Sequence, residues 1–93
     1  MSRSIPVEKF LRKASRRIRG HYDRLRLQAV KVRMDSDEWY DVFIFNNFNN
    51  MIYMDCLDKD ELNKLVRALN ILCTVEDQVN FLDGFMIKFK NCR

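Results

Sequence analysis

The sequence has no long hydrophobic run, little glycine and almost no proline. Its 93 residues include 2 Gly and 1 Pro, which excludes collagen-like and linker sequence. The longest apolar runs, Val42–Phe45 and Met51–Met54, hold four residues each, whereas a membrane-spanning helix needs about 20. No apolar segment follows the basic N-terminus, so no secretory signal is expected. With 47% hydrophobic residues, the chain predicts one compact domain over residues 1–93.

Groups that carry catalysis or bind metals are scarce. The one histidine, His21, is not accompanied by a nucleophile-elbow motif at any serine or cysteine. Neither a P-loop nor the glycine-rich turn of dinucleotide-binding proteins occurs. Asp35 and Asp37 lack the glycine and the terminal glutamate that complete a calcium loop. The sequence therefore predicts a protein that is not an enzyme and that uses no metal and no cofactor.

Cysteine is also sparse. Cys56, Cys73 and Cys92 are an odd number and show no C-x-x-C spacing, whereas a disulfide framework or a zinc site uses pairs. We therefore expect reduced thiols, with Cys56 and Cys73 in the core. Reduced thiols are typical of a cytoplasmic protein, which is the predicted location.

Charge is unevenly divided along the chain. Residues 1–33 carry eleven Lys and Arg against two acids, a sum of +9, whereas residues 34–93 carry six basic and eleven acidic residues, a sum of −5. This asymmetry indicates a polyanionic partner for the basic third. The alternative is that the basic third neutralises the acidic remainder within the fold.

Residues 6–19 are predicted to form an amphipathic helix. Pro6 suits a first helical turn, and Gly20 suits the position just after the last turn. Apolar residues recur at helical spacing and form one stripe, while lysines and arginines occupy the rest of the circumference. The stripe consists of Val7, Phe10, Leu11, Ala14 and Ile18.

Three segments after this helix are typical of strands. Apolar residues alternate through Leu25–Met34 but change phase near Ala29 and Val30, which predicts a bulge. A helix through the same segment is the competing interpretation. We favour a strand because Trp39–Phe45 follows, rich in aromatic and β-branched residues. With polar turns at 35–38 and 46–50 and a third apolar run at 51–57, an antiparallel meander is predicted.

A second helix is predicted to begin at Asp58, with Glu61 in the capping-box position. Its buried stripe is Leu62, Leu65, Val66, Leu69 and Leu72 or Cys73. Residues 75–84 fit either a short helix or a strand, and the sequence leaves both open. Residues 85–89 alternate apolar and polar side chains, which predicts a closing strand with one apolar face.

The predicted fold is therefore α+β, in the order α-β-β-β-α-(α/β)-β. It combines an N-terminal amphipathic helix, a three- to four-stranded antiparallel sheet and a second helix packed on the same face of that sheet.

Two groups of residues are candidates for binding. The first is a basic face made of Lys9, Arg12, Lys13, Arg16, Arg17, Arg19, Arg24 and Arg26. Such a face binds phosphates of nucleic acid or an acidic protein surface, and a solvated helix face is the alternative. The second group, Trp39, Phe43 and Phe45, is predicted to share one side of a strand. These rings either pack in the core or meet a partner.

Two functional hypotheses follow. The first is a small non-catalytic module that acts by protein–protein interaction with an acidic protein surface, in the manner of accessory or inhibitor proteins of viruses and phages. The alternative is a domain that binds DNA or RNA through the basic N-terminal helix. A membrane is not an expected partner, since the apolar stripe lacks Trp and is needed to cover the sheet. A homodimer is compatible with both hypotheses.

Overall fold

The fold is a five-stranded antiparallel sheet with one helix against it, in a computed structural model that describes residues 23–34 and 37–92. The strands run in the spatial order β3-β2-β1-β5-β4, and every neighbouring pair is antiparallel. The elements are β1 (Leu25–Met34), β2 (Asp37–Asn46), β3 (Met51–Asp58), α1 (Lys59–Leu72), β4 (Thr74–Phe81) and β5 (Gly84–Lys90).

This architecture corrects the predicted α+β fold class. The described chain is mostly β, because residues 74–81 form a strand and the last strand pairs with the first. The sheet therefore has five strands instead of three or four, and α1 is the one helix of the described residues. The predicted N-terminal helix over 6–19, with its apolar stripe, lies outside the described residues.

The two faces of the sheet differ, and the face against α1 is called the inner face below. Leu27 of β1, Ile44 of β2, Leu57 of β3 and Phe89 of β5 are each fully buried there. Side chains alternate along a strand, so one face collects these apolar residues while their neighbours point to the opposite, outer face. The hydrophobic core therefore lies between the inner face and α1.

The predicted bulge in β1 is wrong. Pairing of β1 runs without interruption to β2 over Leu25–Met34 and to β5 over Leu25–Val30. The change of hydrophobic phase has a different cause: Ala29 is buried on the inner face, whereas Val30 stands 47% exposed on the outer face. Irregular pairing occurs instead in β2–β3 near Ile44 and Phe45, and in β4–β5 near Val75 and Asp77.

Helix α1 begins where the sequence predicted. The carboxylate of Asp58 accepts a hydrogen bond of 2.9 Å from the backbone N–H of Glu61, as an N-cap should. Leu62, Leu65 and Leu69 are the buried residues of α1. Their spacing of three and four residues keeps them on one side of the helix, which confirms the predicted stripe at these positions.

The cysteine prediction is partly wrong. Cys73 and Cys92 form a disulfide, with their Cα atoms 4.1 Å apart. Cys73 is buried as predicted, but it is oxidised. The sequence spacing of 19 residues hides the proximity, because β4 and β5 fold back on each other as a hairpin. Thr74 pairs with Lys90, so the residues flanking this pair meet at the open end of the hairpin.

Candidate functional site

The outer face of the sheet carries two parallel rows of side chains that cross all five strands. The register places Arg26 opposite Phe45 on one side and Lys88 on the other, and Gln28 opposite Phe43 and Met86. The first row is Met51, Phe45, Arg26, Lys88 and Asp77. The second row is Met54, Phe43, Gln28, Met86 and Val79.

The outer face carries several exposed apolar side chains. Met54 is 58% exposed, Phe81 55%, Met51 51%, Val30 47% and Val79 37%. Within the described residues, α1 buries its leucines against the opposite face, so it does not cover these side chains. Contiguous exposed apolar surface is a mark of an interaction site, whereas isolated apolar residues are not.

Arg26 and Phe45 form the centre of the first row. The guanidinium carbon of Arg26 lies 4.5 Å from the centroid of the Phe45 ring, which is cation–π geometry. The Nη2 of Arg26 donates a hydrogen bond of 2.9 Å to the side-chain carbonyl of Asn49. The Nε of Arg26 is buried and has no hydrogen-bond partner among the described residues. The guanidinium is thus held in place, and its Nε–H still has no acceptor among the described residues.

A cleft of about 400 Å³ opens beside Arg26, at the end of the sheet next to the β2–β3 turn. Its lining brings together three basic side chains, one acid and the asparagines of that turn. These residues are Arg24, Arg26, Lys88, Glu76, Asn46, Asn47 and Asn49, with Leu25 and Phe89 at the base. We call this feature the basic cleft.

The wall of the basic cleft is built by Asn46. Its side-chain carbonyl accepts hydrogen bonds of 2.9 Å from the backbone N–H groups of Phe48 and Asn50. The backbone carbonyl of Asn46 also accepts from the N–H of Asn49, which has φ of 64°. Asparagine tolerates this left-handed conformation better than most residues. The turn is therefore fixed, and with it the Asn49 side chain that holds Arg26.

The one acid of the cleft is partly engaged. Arg24 lies 3.9 Å from Glu76, and the two side chains are 61% and 38% exposed. An exposed pair at this separation contributes little. Among the described residues, the three cations and one acid that line the basic cleft sum to +2, and Asp77 stands beside Lys88 outside this lining.

The structure brings together some of the predicted binding residues. Arg24 and Arg26 line the basic cleft. Trp39, Phe43 and Phe45 share the outer face, as the alternation of β2 predicted, because Val42 and Ile44 between them are buried on the inner face. The remaining predicted basic residues, Lys9, Arg12, Lys13, Arg16, Arg17 and Arg19, lie outside the described residues.

Sequence reasoning missed Lys88, Asn49 and Glu76. Lys88 alternates with the buried Ile87 and Phe89, so the sequence shows that it faces away from the core. Nothing in the local pattern shows that β5 pairs with β1 and sets Lys88 beside Arg26. Glu76 reaches the cleft from a strand that the sequence left ambiguous.

Two other kinds of site are absent from the described part of the chain. No group of three or more histidine, cysteine, aspartate or glutamate side chains is arranged to hold a metal ion there. No helix among those residues is long and apolar enough to cross a membrane.

Comparison with known proteins gives no family and no relative. No protein-family model, no curated protein and no solved structure matches the chain significantly.

Proposed function

We propose that this protein is a non-catalytic binding module whose outer sheet face docks on an acidic, partly apolar surface of another protein. The observation that carries the proposal is the pair of rows across the outer face, in which exposed Met51 and Met54 lie beside Phe45 and Phe43 and exposed Val79 ends the second row. Flexible methionine side chains and rigid aromatic rings are both suited to protein interfaces.

The charge at one end of the apolar rows supports an acidic partner. Arg24, Arg26 and Lys88 lie at one end of the outer face, where the basic cleft opens. Cations at the rim of an apolar patch attract a partner with negative charge and orient it as it approaches. An acidic patch that borders apolar residues is therefore the complementary surface.

The proposal is tested by photo-crosslinking in a lysate of the source organism. A photoreactive phenylalanine analogue replaces Met54, which is exposed on the outer face, or Ile71, which is 73% exposed on α1. We expect an adduct at position 54 and none at position 71. The adduct should persist after nuclease treatment, and the captured protein should carry an acidic surface next to apolar residues.

Three results would contradict the proposal. An adduct that disappears with nuclease indicates a nucleic acid on this face. An adduct of exactly two copies of this chain indicates self-association. Equal capture from positions 54 and 71 indicates contact without a preferred face. A matched variant tests the same face from a second position. With the crosslinker placed at Val79, Met54→Ser should abolish capture of the partner. The thermal unfolding midpoint should not change, since the Met54 side chain is mostly exposed.

A further inference from the structure

We propose that the basic cleft is a binding site for a dianionic phosphate group, the terminal phosphate of a phosphomonoester. This inference goes beyond the docking function of the outer face and does not depend on it. It rests on three features of the cleft: a preorganised arginine, a lining with more cations than acids, and a fixed turn whose Asn49 holds the arginine in place.

Arg26 is the centre of the proposed site. Its guanidinium lies over Phe45 and donates Nη2 to Asn49, so little conformational freedom remains to be lost when an anion binds. The buried Nε has no hydrogen-bond partner among the described residues. A buried donor without a partner is costly. A phosphate that binds Nε and the second N–H of Nη2, which point to the same side of the guanidinium, would remove that cost in the two-point geometry that arginine forms with oxyanions.

The charge of the cleft selects the class of anion. Arg24, Arg26 and Lys88 outweigh Glu76 by two charges. A phosphomonoester carries about −1.5 to −2 charges at neutral pH, which matches this excess, whereas a phosphodiester carries one negative charge. The lining therefore favours a terminal phosphate over the internal phosphates of a nucleic-acid backbone.

The volume of the cleft is large enough for a phosphate group and part of the molecule that bears it. A volume of about 400 Å³ lies within the range of small-molecule sites, and a phosphate fills a fraction of it. The rest leaves room for the group that bears the phosphate. That bearer could be a free metabolite or a phosphorylated side chain, and both present the same dianion to Arg26.

The test is a titration followed by nitrogen–proton correlation spectra, at constant ionic strength in chloride. The probes are methyl phosphate, dimethyl phosphate and a short phosphoserine peptide with its unphosphorylated counterpart. We expect methyl phosphate to shift the Arg26 Nε–H and Asn49 side-chain signals saturably. Dimethyl phosphate should bind about tenfold more weakly, as expected for the loss of one charge from a paired anion. A peptide that binds more tightly than methyl phosphate identifies a protein-borne phosphate, and equal affinities identify recognition of the group alone; both results support the site.

Variants assign the binding to the cleft. Arg26→Gln should weaken methyl phosphate binding at least about tenfold, the loss expected for a charge-assisted pair. Lys88→Gln removes an exposed cation of the same cleft and should weaken binding while leaving the fold intact. Lys64→Gln, an exposed cation of α1 outside the cleft, is the matched control and should bind like the original protein.

The proposal is overturned if the phosphate-induced shifts are linear and equal to those caused by chloride, or if Lys88→Gln and Lys64→Gln bind alike. It is also overturned if dimethyl phosphate binds as tightly as methyl phosphate, since the cleft would then recognise a diester backbone. Met54→Ser separates this inference from the proposed docking function, because it should abolish partner capture and leave methyl phosphate binding unchanged.

Discussion

The backbone carbonyl of Ala29 occupies the space that a β-carbon on Gly84 would need. Gly84 opens β5, where it pairs with Val30 of β1, and a β-carbon there would collide with the carbonyl oxygen and carbon of Ala29. The close approach of β5 to the central strand thus requires glycine at this position, for reasons of space.

We expect Gly84→Ala to lower the free energy of unfolding by about 2 kcal/mol, because the strands must move apart to admit the methyl group. Urea denaturation followed by circular dichroism measures the change. Leu82→Ala is the control in the same turn, since Leu82 is 98% exposed and its removal should change stability by less than about 0.5 kcal/mol. An unchanged urea midpoint for Gly84→Ala would contradict the described β1–β5 register.

The disulfide between Cys73 and Cys92 gives a second prediction. Cys92→Ser should reduce stability by about 3 kcal/mol, the chain-entropy estimate for a loop of this size. Cys56→Ser, a substitution outside the disulfide, should leave the bond intact.

Mass spectrometry after thiol alkylation, without reductant, reads the oxidation state directly. One of the three cysteines should be alkylated in the native protein, and all three after reduction. Alkylation of three cysteines before reduction would refute the bond and restore the expectation of reduced thiols.

Leu65 tests the packing of α1 against the inner face. This side chain is fully buried in the core, so Leu65→Asp places a charge where no partner compensates it. We expect a loss of more than about 3 kcal/mol. The adjacent Lys64→Asp, at an exposed position, should change stability by less than about 1 kcal/mol. Similar melting temperatures for the two variants would mean that α1 does not cover the core.

Asn46 tests the turn that forms the basic cleft. It is buried, and its side-chain carbonyl accepts from two backbone N–H groups. Asn46→Ala leaves both donors without their acceptor and should cost about 2 kcal/mol. Asn46→Asp retains an acceptor oxygen and should recover most of this loss. Equal destabilisation by the two variants would show that the hydrogen bonds do not hold the turn.

Local patterns predicted much of the fold, and long-range pairing accounts for most of what they missed. The cap at Asp58 and the leucine stripe of α1 could be predicted because both depend on residues within one or two turns. The strand β4 could not, since all eight of its residues are exposed and therefore show no alternation between core and solvent.

The candidate site likewise has a part that local patterns predict and a part that depends on long-range strand pairing. Phe43 and Phe45 could be assigned to one side of β2 by alternation alone. Their neighbours Arg26 and Lys88 depend on two separate strand pairings, and these join distant parts of the sequence. The sequence alone therefore could not predict that these residues form one cleft, although it did predict two of the three cations, Arg24 and Arg26, as binding residues.

The position of β1 in the middle of the sheet has a consequence for the order of synthesis. One edge of β1 can pair with β2 as soon as that strand is made, but the other edge must wait for β5, which comes last among the strands. Until then, a nascent chain with three strands and α1 presents β1 as an open edge beside apolar side chains such as Leu27 and Ala29. Open edges of this kind recruit other strands. Among the described strands, the C-terminal hairpin is thus the last to be made, and a ribosome-bound chain that has not yet reached Gly84 still has this edge of β1 unpaired.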